Sequence, residues 1–144
     1  FIFARYFAYW QIYFHKTTRG FERLLDSIWR RAKSLHAQCA LDDASLAFIG
    51  PFLDGKATPA QYLAIDDQDI MQAVKVWTES DDPVLKNLSE RFLYRKPFKC
   101  LETTDRPDIS EIAKEVVSKR GYKETDYYVL IDMPSSVLRL LHKI

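Results

Sequence analysis

Five side chains near the start of the chain could meet an anion together: Arg5, Tyr9, Tyr13, His15 and Lys16. An arginine forks onto phosphate oxygens, and a tyrosine hydrogen-bonds or stacks on a sugar or base. A lysine binds phosphate as a point charge. On a helix, Arg5, Tyr9 and Tyr13 stand one turn apart. Such a row suits a nucleotide, and it equally suits solvent or a partner helix. Periodicity does not choose among the three. A second concentration of cations follows at Arg95, Lys96 and Lys99.

Other chemistries find no residues. His15, His36 and His142 are far apart, and no zinc signature occurs. Four glycines leave no phosphate-cradling loop, and there is no Gly-x-Ser-x-Gly elbow. Two cysteines, Cys39 and Cys100, make no disulfide framework and no Cys-x-x-Cys. They read as buried thiols in a reducing, cytoplasmic compartment. No complete catalytic set and no metal-ligand set is recognisable in the chain taken alone.

The 144 residues suffice for a domain with a real core, and the formal net charge of +1 gives no general pull toward nucleic acid or an anionic membrane. The most apolar region, residues 1–14, contains Arg5 and Gln11 and is too short to span a bilayer. It also lacks the basic start and cleavage site of a signal peptide. The chain opens on Phe1 without methionine and closes on an apolar run at residues 137–144. The expectation is a piece of a longer protein, cut inside a helix, with a processed natural chain as the alternative.

The elements that must position these side chains follow from periodicity and caps. At about 100° per residue, Phe3, Phe7, Trp10, Phe14, Phe21, Leu25 and Ile28 form one apolar stripe. Arg5, Tyr9, Lys16 and Arg23 fall opposite. A helical region is therefore expected to about Ala37, with Gly20 as a kink or nothing at all. Arg30, Arg31 and Lys33 read as a solvated basic face near its end. Asp42-Asp43 opens a possible short helix through Ile49. Gly50-Pro51 and Asp54-Gly55 read as turns. Thr58-Pro59 reads as a cap followed by a first-turn proline.

Asp66 caps a helix over residues 66–78 that buries Ile70, Ala73, Val74 and Trp77. Asp81-Asp82-Pro83 starts the next, with Leu85, Leu88 and Phe92 inward. Residues 98–103 and 127–131 read as strands. Between them a helix over 108–120 turns Ile109, Ile112, Ala113, Val116 and Val117 inward and ends at Gly121.

The segment Ala4-Arg5 … Gln11-x-Tyr13-Phe14-His15-Lys16-Thr17 … Arg19 resembles one in the HD-superfamily phosphohydrolases. The branch it is most similar to is the bacterial relatives of the SAM-and-HD-domain deoxynucleotide triphosphohydrolases. Tyr62-Leu63-x-Ile65-Asp66-Asp67, the Trp77 helix, Asp81-Asp82-Pro83-Val84-Leu85 and Arg95-Lys96-Pro97-Phe98-Lys99 continue the likeness in order. It covers residues 1 to roughly 103, and the tail only as a general pattern.

The family's metal ligands are a histidine, a His-Asp doublet and a later aspartate, all upstream of the matched region. The resemblance therefore implies the part C-terminal to the HD motif, with no catalytic or metal residues of its own and no hydrolysis by this chain alone. It implies a divalent metal (Mn, Mg, Fe, Ni or Zn) in the N-terminal HD core, with that core, a nucleotide and further copies of the chain as partners. By the same likeness Arg5 contacts substrate phosphates and Tyr13 stands near the sugar. Tyr9 replaces a histidine of the same pocket. His15 and Lys16 match residues of a regulatory nucleotide site at a subunit interface, and Arg95 and Lys99 match cations that hold a regulatory nucleotide's triphosphate in some members.

The expected fold is mainly α with a small α+β C-terminal portion. An HD-phosphohydrolase-like helical body spans residues 1–97, and a strand-helix-strand lobe spans 98–144. Two other classes stand beside the hydrolase reading: a non-catalytic interaction or regulatory module, and nucleic-acid binding through Arg19, Arg23, Arg30, Arg31 and Lys33. The near-neutral charge disfavours the last.

Overall fold

The computed structural model of the chain describes residues 2–8, 11–12, 15–41, 47–100 and 106–131. Among them the regular elements are helical. They are α1 (Ile2–Ala8), α2 (Lys16–Ala37), α3 (Gly50–Leu53), α4 (Pro59–Ala64), α5 (Asp67–Trp77), α6 (Pro83–Leu93) and α7 (Arg106–Lys119), with a 3-10 turn at Thr125–Tyr127. They divide into one unit of residues 21–98 and another of residues 1–20 with 99–144.

The unit of residues 21–98 contains the core. α2 supplies Leu24, Ile28, Ala32 and Leu35, spaced three or four residues apart so that they share one face. Buried with them are Ile49, Leu53, Ala73, Val74, Trp77, Val84, Leu85 and Leu88. Two edge-to-face ring pairs tie α2 to its neighbours: Trp29 with Trp77 at 5.5 Å, and Phe21 with Phe92 at 5.9 Å.

α4, α5 and α6 each begin at a capping side chain. Thr58 and Gln61 form a capping box ahead of Pro59. Asp66 accepts from the amides of Gln68 (2.7 Å) and Asp69 (3.0 Å), and Asp69 accepts in return from the Asp66 amide at 3.0 Å. Asp66→Ala is expected to cost about 1 kcal/mol. Urea unfolding should show this as a lower midpoint with an unchanged slope.

Helix ends follow one rule with two kinds of residue. α2, α3, α6 and α7 each close with a 6→1 and a 5→2 backbone hydrogen bond around a left-handed residue. At α3 and α7 that residue is Gly55 (φ 70°) or Gly121 (φ 91°). At α2 it is Cys39 (φ 54°), where Ala40 N–H donates to the Leu35 carbonyl at 2.9 Å. At α6 it is Arg95 (φ 54°), where Lys96 N–H donates to the Arg91 carbonyl at 2.8 Å. A side chain in this conformation carries a steric cost that glycine escapes. Cys39→Gly is therefore expected to raise stability by about 1 kcal/mol, read as a higher melting temperature.

α2 runs unbroken through a buried Gly20, the simpler of the outcomes expected there. Other expectations are corrected. The helical region is interrupted upstream, where Gln11 and Ile12 are π-helical and His15 is outside regular structure. Gly50-Pro51 opens α3 rather than making a turn, because proline suits a first helical position. Of the apolar stripe, Ile28 is buried and Phe21 and Leu25 are half-buried, whereas Phe3 and Phe7 are 79% and 54% exposed. Trp10 and Phe14 lie outside the described residues, as does Asp42-Asp43.

On α7, Ile109, Ala113 and Val117 are half-buried, while Ile112 and Val116 are exposed. Cys39 and Cys100 are exposed, not buried. No strand occurs among the described residues. Residues 98–100 are irregular, and 127–131 are turn and coil. The physical reason is local satisfaction: the amides of Tyr127, Tyr128 and Val129 bond back to Glu124 and Thr125 within their own turn, leaving no ladder to build.

Candidate functional site

The residues singled out by type fall in both units. In the unit of residues 1–20 with 99–144, Arg5 sits on α1 and is exposed. Tyr9 and Tyr13 lie outside the described residues. His15 and Lys16 are exposed at the start of α2.

His15 acts as the N-terminal cap of α2. Its ring Nδ1 accepts from the Thr17 amide at 3.3 Å, and its carbonyl accepts from the Arg19 amide at 3.0 Å. An accepting Nδ1 requires the neutral tautomer with its proton on Nε2, which leaves Nε2–H as the ring's donor. The Cys100 thiol donates to the Lys16 carbonyl at 3.1 Å, which seats Lys99 and Cys100 beside the first turn of α2. The fold thus brings His15, Lys16 and Lys99 to one neighbourhood. No acidic side chain occupies the first turn of α2, so the helix dipole acts with the same sign as Lys16 and Lys99.

Arg95 belongs to the other unit and is exposed at the left-handed end of α6. Beside it the Lys96 Nζ lies 6.0 Å from the centre of the Tyr94 ring. A non-glycine residue there is a local expense to the fold.

The unit of residues 21–98 also holds ion pairs that the sequence reading missed. Arg31 grips Asp82 with both branches, Nε to Oδ1 at 3.0 Å and Nη2 to Oδ2 at 2.6 Å. Each side chain is 13% exposed. Asp82 is also the cap of α6, accepting from the Leu85 amide at 2.7 Å. Burial alone would raise its pKa, but the Arg31 guanidinium and the Leu85 and Val84 amides together hold the carboxyl below its ordinary range.

Arg31 is therefore not part of a solvated basic face. It falls three residues after Ile28 and four before Leu35, so it lies on the buried stripe; that spacing was the available signal. Arg30 leans on Asp26 at 3.7 Å, and Lys33 is exposed. A basic strip for nucleic acid loses its central member.

At the end of α2, His36 Nε2 meets Asp54 Oδ1 at 2.8 Å, and Lys56 Nζ lies 3.7 Å from Oδ2. The hydrogen bond to His36 is the main cause that lowers the Asp54 pKa, with burial opposing and Lys56 adding to it. In the other unit Lys114 bonds Asp126 at 2.9 Å, which raises the lysine's pKa. Among the described residues, no three His, Cys, Asp or Glu side chains gather in a way that could hold a metal ion. No described helix is long and apolar enough to cross a membrane.

No family model matches the chain. An uncharacterised protein of Bacillus subtilis (strain 168), YwfO, is 30% identical over 139 residues, which is 95% of this chain and 32% of YwfO. A phosphohydrolase of known structure, BT4208 from Bacteroides thetaiotaomicron, superposes with a TM-score of 0.70 at 30% identity. That likeness covers 92% of this chain and 36% of the other. The chain therefore spans about a third of the length of each of these two relatives, and its helical architecture is that of an HD-phosphohydrolase-like fold.

Proposed function

We propose that the chain is a segment of a longer HD-type phosphohydrolase, following the metal-binding core and acting on (deoxy)nucleoside triphosphates. The observation that supports this is the likeness to a phosphohydrolase along nearly the whole chain, joined to an exposed Arg5 on a helix that resembles the family's pocket wall. A divalent metal (Mn, Mg, Fe, Ni or Zn) held by the core supplies Lewis-acid activation of a water when bound.

This chain's residues bind and orient. Arg5 neutralises phosphate charge, and Tyr13 positions the sugar, with Tyr9 as a further hydrogen-bond donor. The products are a nucleoside and triphosphate. His15, Lys16 and Lys99, gathered at the start of α2, together with Arg95 hold a regulatory nucleotide in an assembly of several copies, in the cytoplasm.

The test is to read the gene upstream of Phe1 and assay the full-length product. A histidine, a His-Asp doublet and an aspartate upstream, with metal-dependent release of triphosphate from a deoxynucleoside triphosphate, support the reading. A gene without those ligands, or a protein with them that leaves every deoxynucleoside triphosphate intact, overturns it. An interaction or regulatory module would then be the better account.

A further inference from the structure

α4 is a helix without a buried side. Its sequence, Pro-Ala-Gln-Tyr-Leu-Ala, is apolar except for Gln61, and that side chain is spent on the capping box with Thr58. All six residues are exposed, Leu63 at 87% and Tyr62 at 71%. A helix that is apolar on nearly every side is ordinarily covered. This one is held out in a fixed position instead. The capping box sets its start, the Asp66 box follows its end directly, and the Phe52 ring lies 6.1 Å from that of Tyr62. A large apolar side chain that is already in place loses little freedom on making a contact.

The charges at its two ends indicate what covers it. Lys56 stands three residues before Pro59, and Asp67 three residues after Ala64. They are equally far from the middle of α4, on opposite sides of it and opposite in sign, and both are exposed. Lys56 is 79% exposed, and its Nζ only approaches Asp54 Oδ2, at 3.7 Å. The other oxygen of Asp54 is taken by His36 at 2.8 Å. At the far end Asp66 and Asp69 are occupied by their reciprocal capping box, and Asp67 takes no part in it. A two-fold interface requires that residue i meet j while j meets i. An axis through the middle of α4 meets that requirement, because it sets Lys56 of each copy opposite Asp67 of the other. Ends of like sign would have excluded the pairing.

We propose that α4 pairs antiparallel with α4 of a second copy of this chain about a two-fold axis, with Tyr62 and Leu63 of each copy at the centre and Lys56 of each facing Asp67 of the other. The apolar side chains supply the attraction. The charges fix the direction, since a parallel pair would set lysine against lysine and aspartate against aspartate. The contact is independent of the catalytic reading and stands or falls without it.

A pair of helices this short covers less than the roughly 800 Å² per partner of a stable interface, so the contact is read locally, in the full-length protein, rather than from oligomer size. All native cysteines, Cys39 and Cys100 among them, are replaced by serine, and Leu63→Cys is introduced. After oxidation of mixed isotope-labelled and unlabelled protein, peptide mass analysis measures the disulfide between copies. The Leu63→Cys link should form at least tenfold faster than that of a Lys86→Cys control, an exposed position on α6. Adding Lys56→Glu alone, or Asp67→Lys alone, should slow it at least fivefold, because like charges then meet at both ends. Mixing the two variants should restore the rate for links between them, since each reversed charge meets its opposite on the other copy. Joining both changes in one chain should restore it too, which a folding defect in either variant would not allow. A Leu63→Cys rate no faster than the control, no slowing on charge reversal, or no recovery on mixing would each overturn the proposal.

Discussion

Arg31→Ala is expected to lower unfolding stability by about 3 kcal/mol, the cost of stranding one partner of a buried ion pair. Asp82 would keep its hydrogen bond to the Leu85 amide but lose both guanidinium contacts in a site where each side chain is 13% exposed. Asp82→Ala should cost more, because it strands Arg31 and also uncaps α6 by about 1 kcal/mol. Denaturant unfolding of the single variants and of Arg31→Met with Asp82→Ser decides the account. The double variant keeps a capping oxygen and leaves no buried charge, so it should recover most of the loss. A double variant as unstable as the sum of the singles would show that packing, not the pair, carries the effect.

The pair also fixes a pH dependence. The Asp82 carboxyl titrates below its ordinary value of 3.8 in the folded protein. Its contribution is therefore complete above that pH and is lost as pH falls through the folded-state value. Asp82→Asn should be less stable than the native protein at pH 7, and the gap should narrow below about pH 4.

In the full-length protein, Arg5→Ala is expected to lower turnover of a deoxynucleoside triphosphate at least tenfold, roughly one charge-assisted contact. Arg5→Lys should recover little if the guanidinium grips two oxygens at once, since an ammonium cannot reproduce a fork. The side chain is exposed on α1, so the melting temperature should hardly move. Comparing kcat with KM separates roles: a contact made only in the transition state lowers kcat, whereas uniform binding raises KM alone. Unchanged kinetics would remove Arg5 from the pocket.

Local grammar made much of the helical body legible. Thr58, Asp66 and Asp82 announced their helices because a capping side chain needs only its own next few amides. Gly121 announced the end of α7 because a left-handed residue suits glycine. The same closure at Cys39 and Arg95 was invisible, since there the helix ends where its neighbours stop supporting it. Arg31 was misread for a related reason: its type suggested solvent, while its position between Ile28 and Leu35 placed it toward α6. The cations of the candidate site were legible as types. Their gathering was not, because the Cys100 thiol that seats Lys99 beside Lys16 is 84 residues away along the chain.

The sequence thus settled where α4, α5 and α6 start, which face of α5 and α6 is apolar, and which side chains could meet an anion, all consequences of contacts within a few residues. Tertiary structure decided which of those charges are consumed by partners, which described helix faces stay open, and that neither residues 127–131 nor the described part, 98–100, of the expected strand 98–103 is built as a strand. Those outcomes depend on what lies across space, and a strand without a neighbouring strand has nowhere to place its hydrogen bonds.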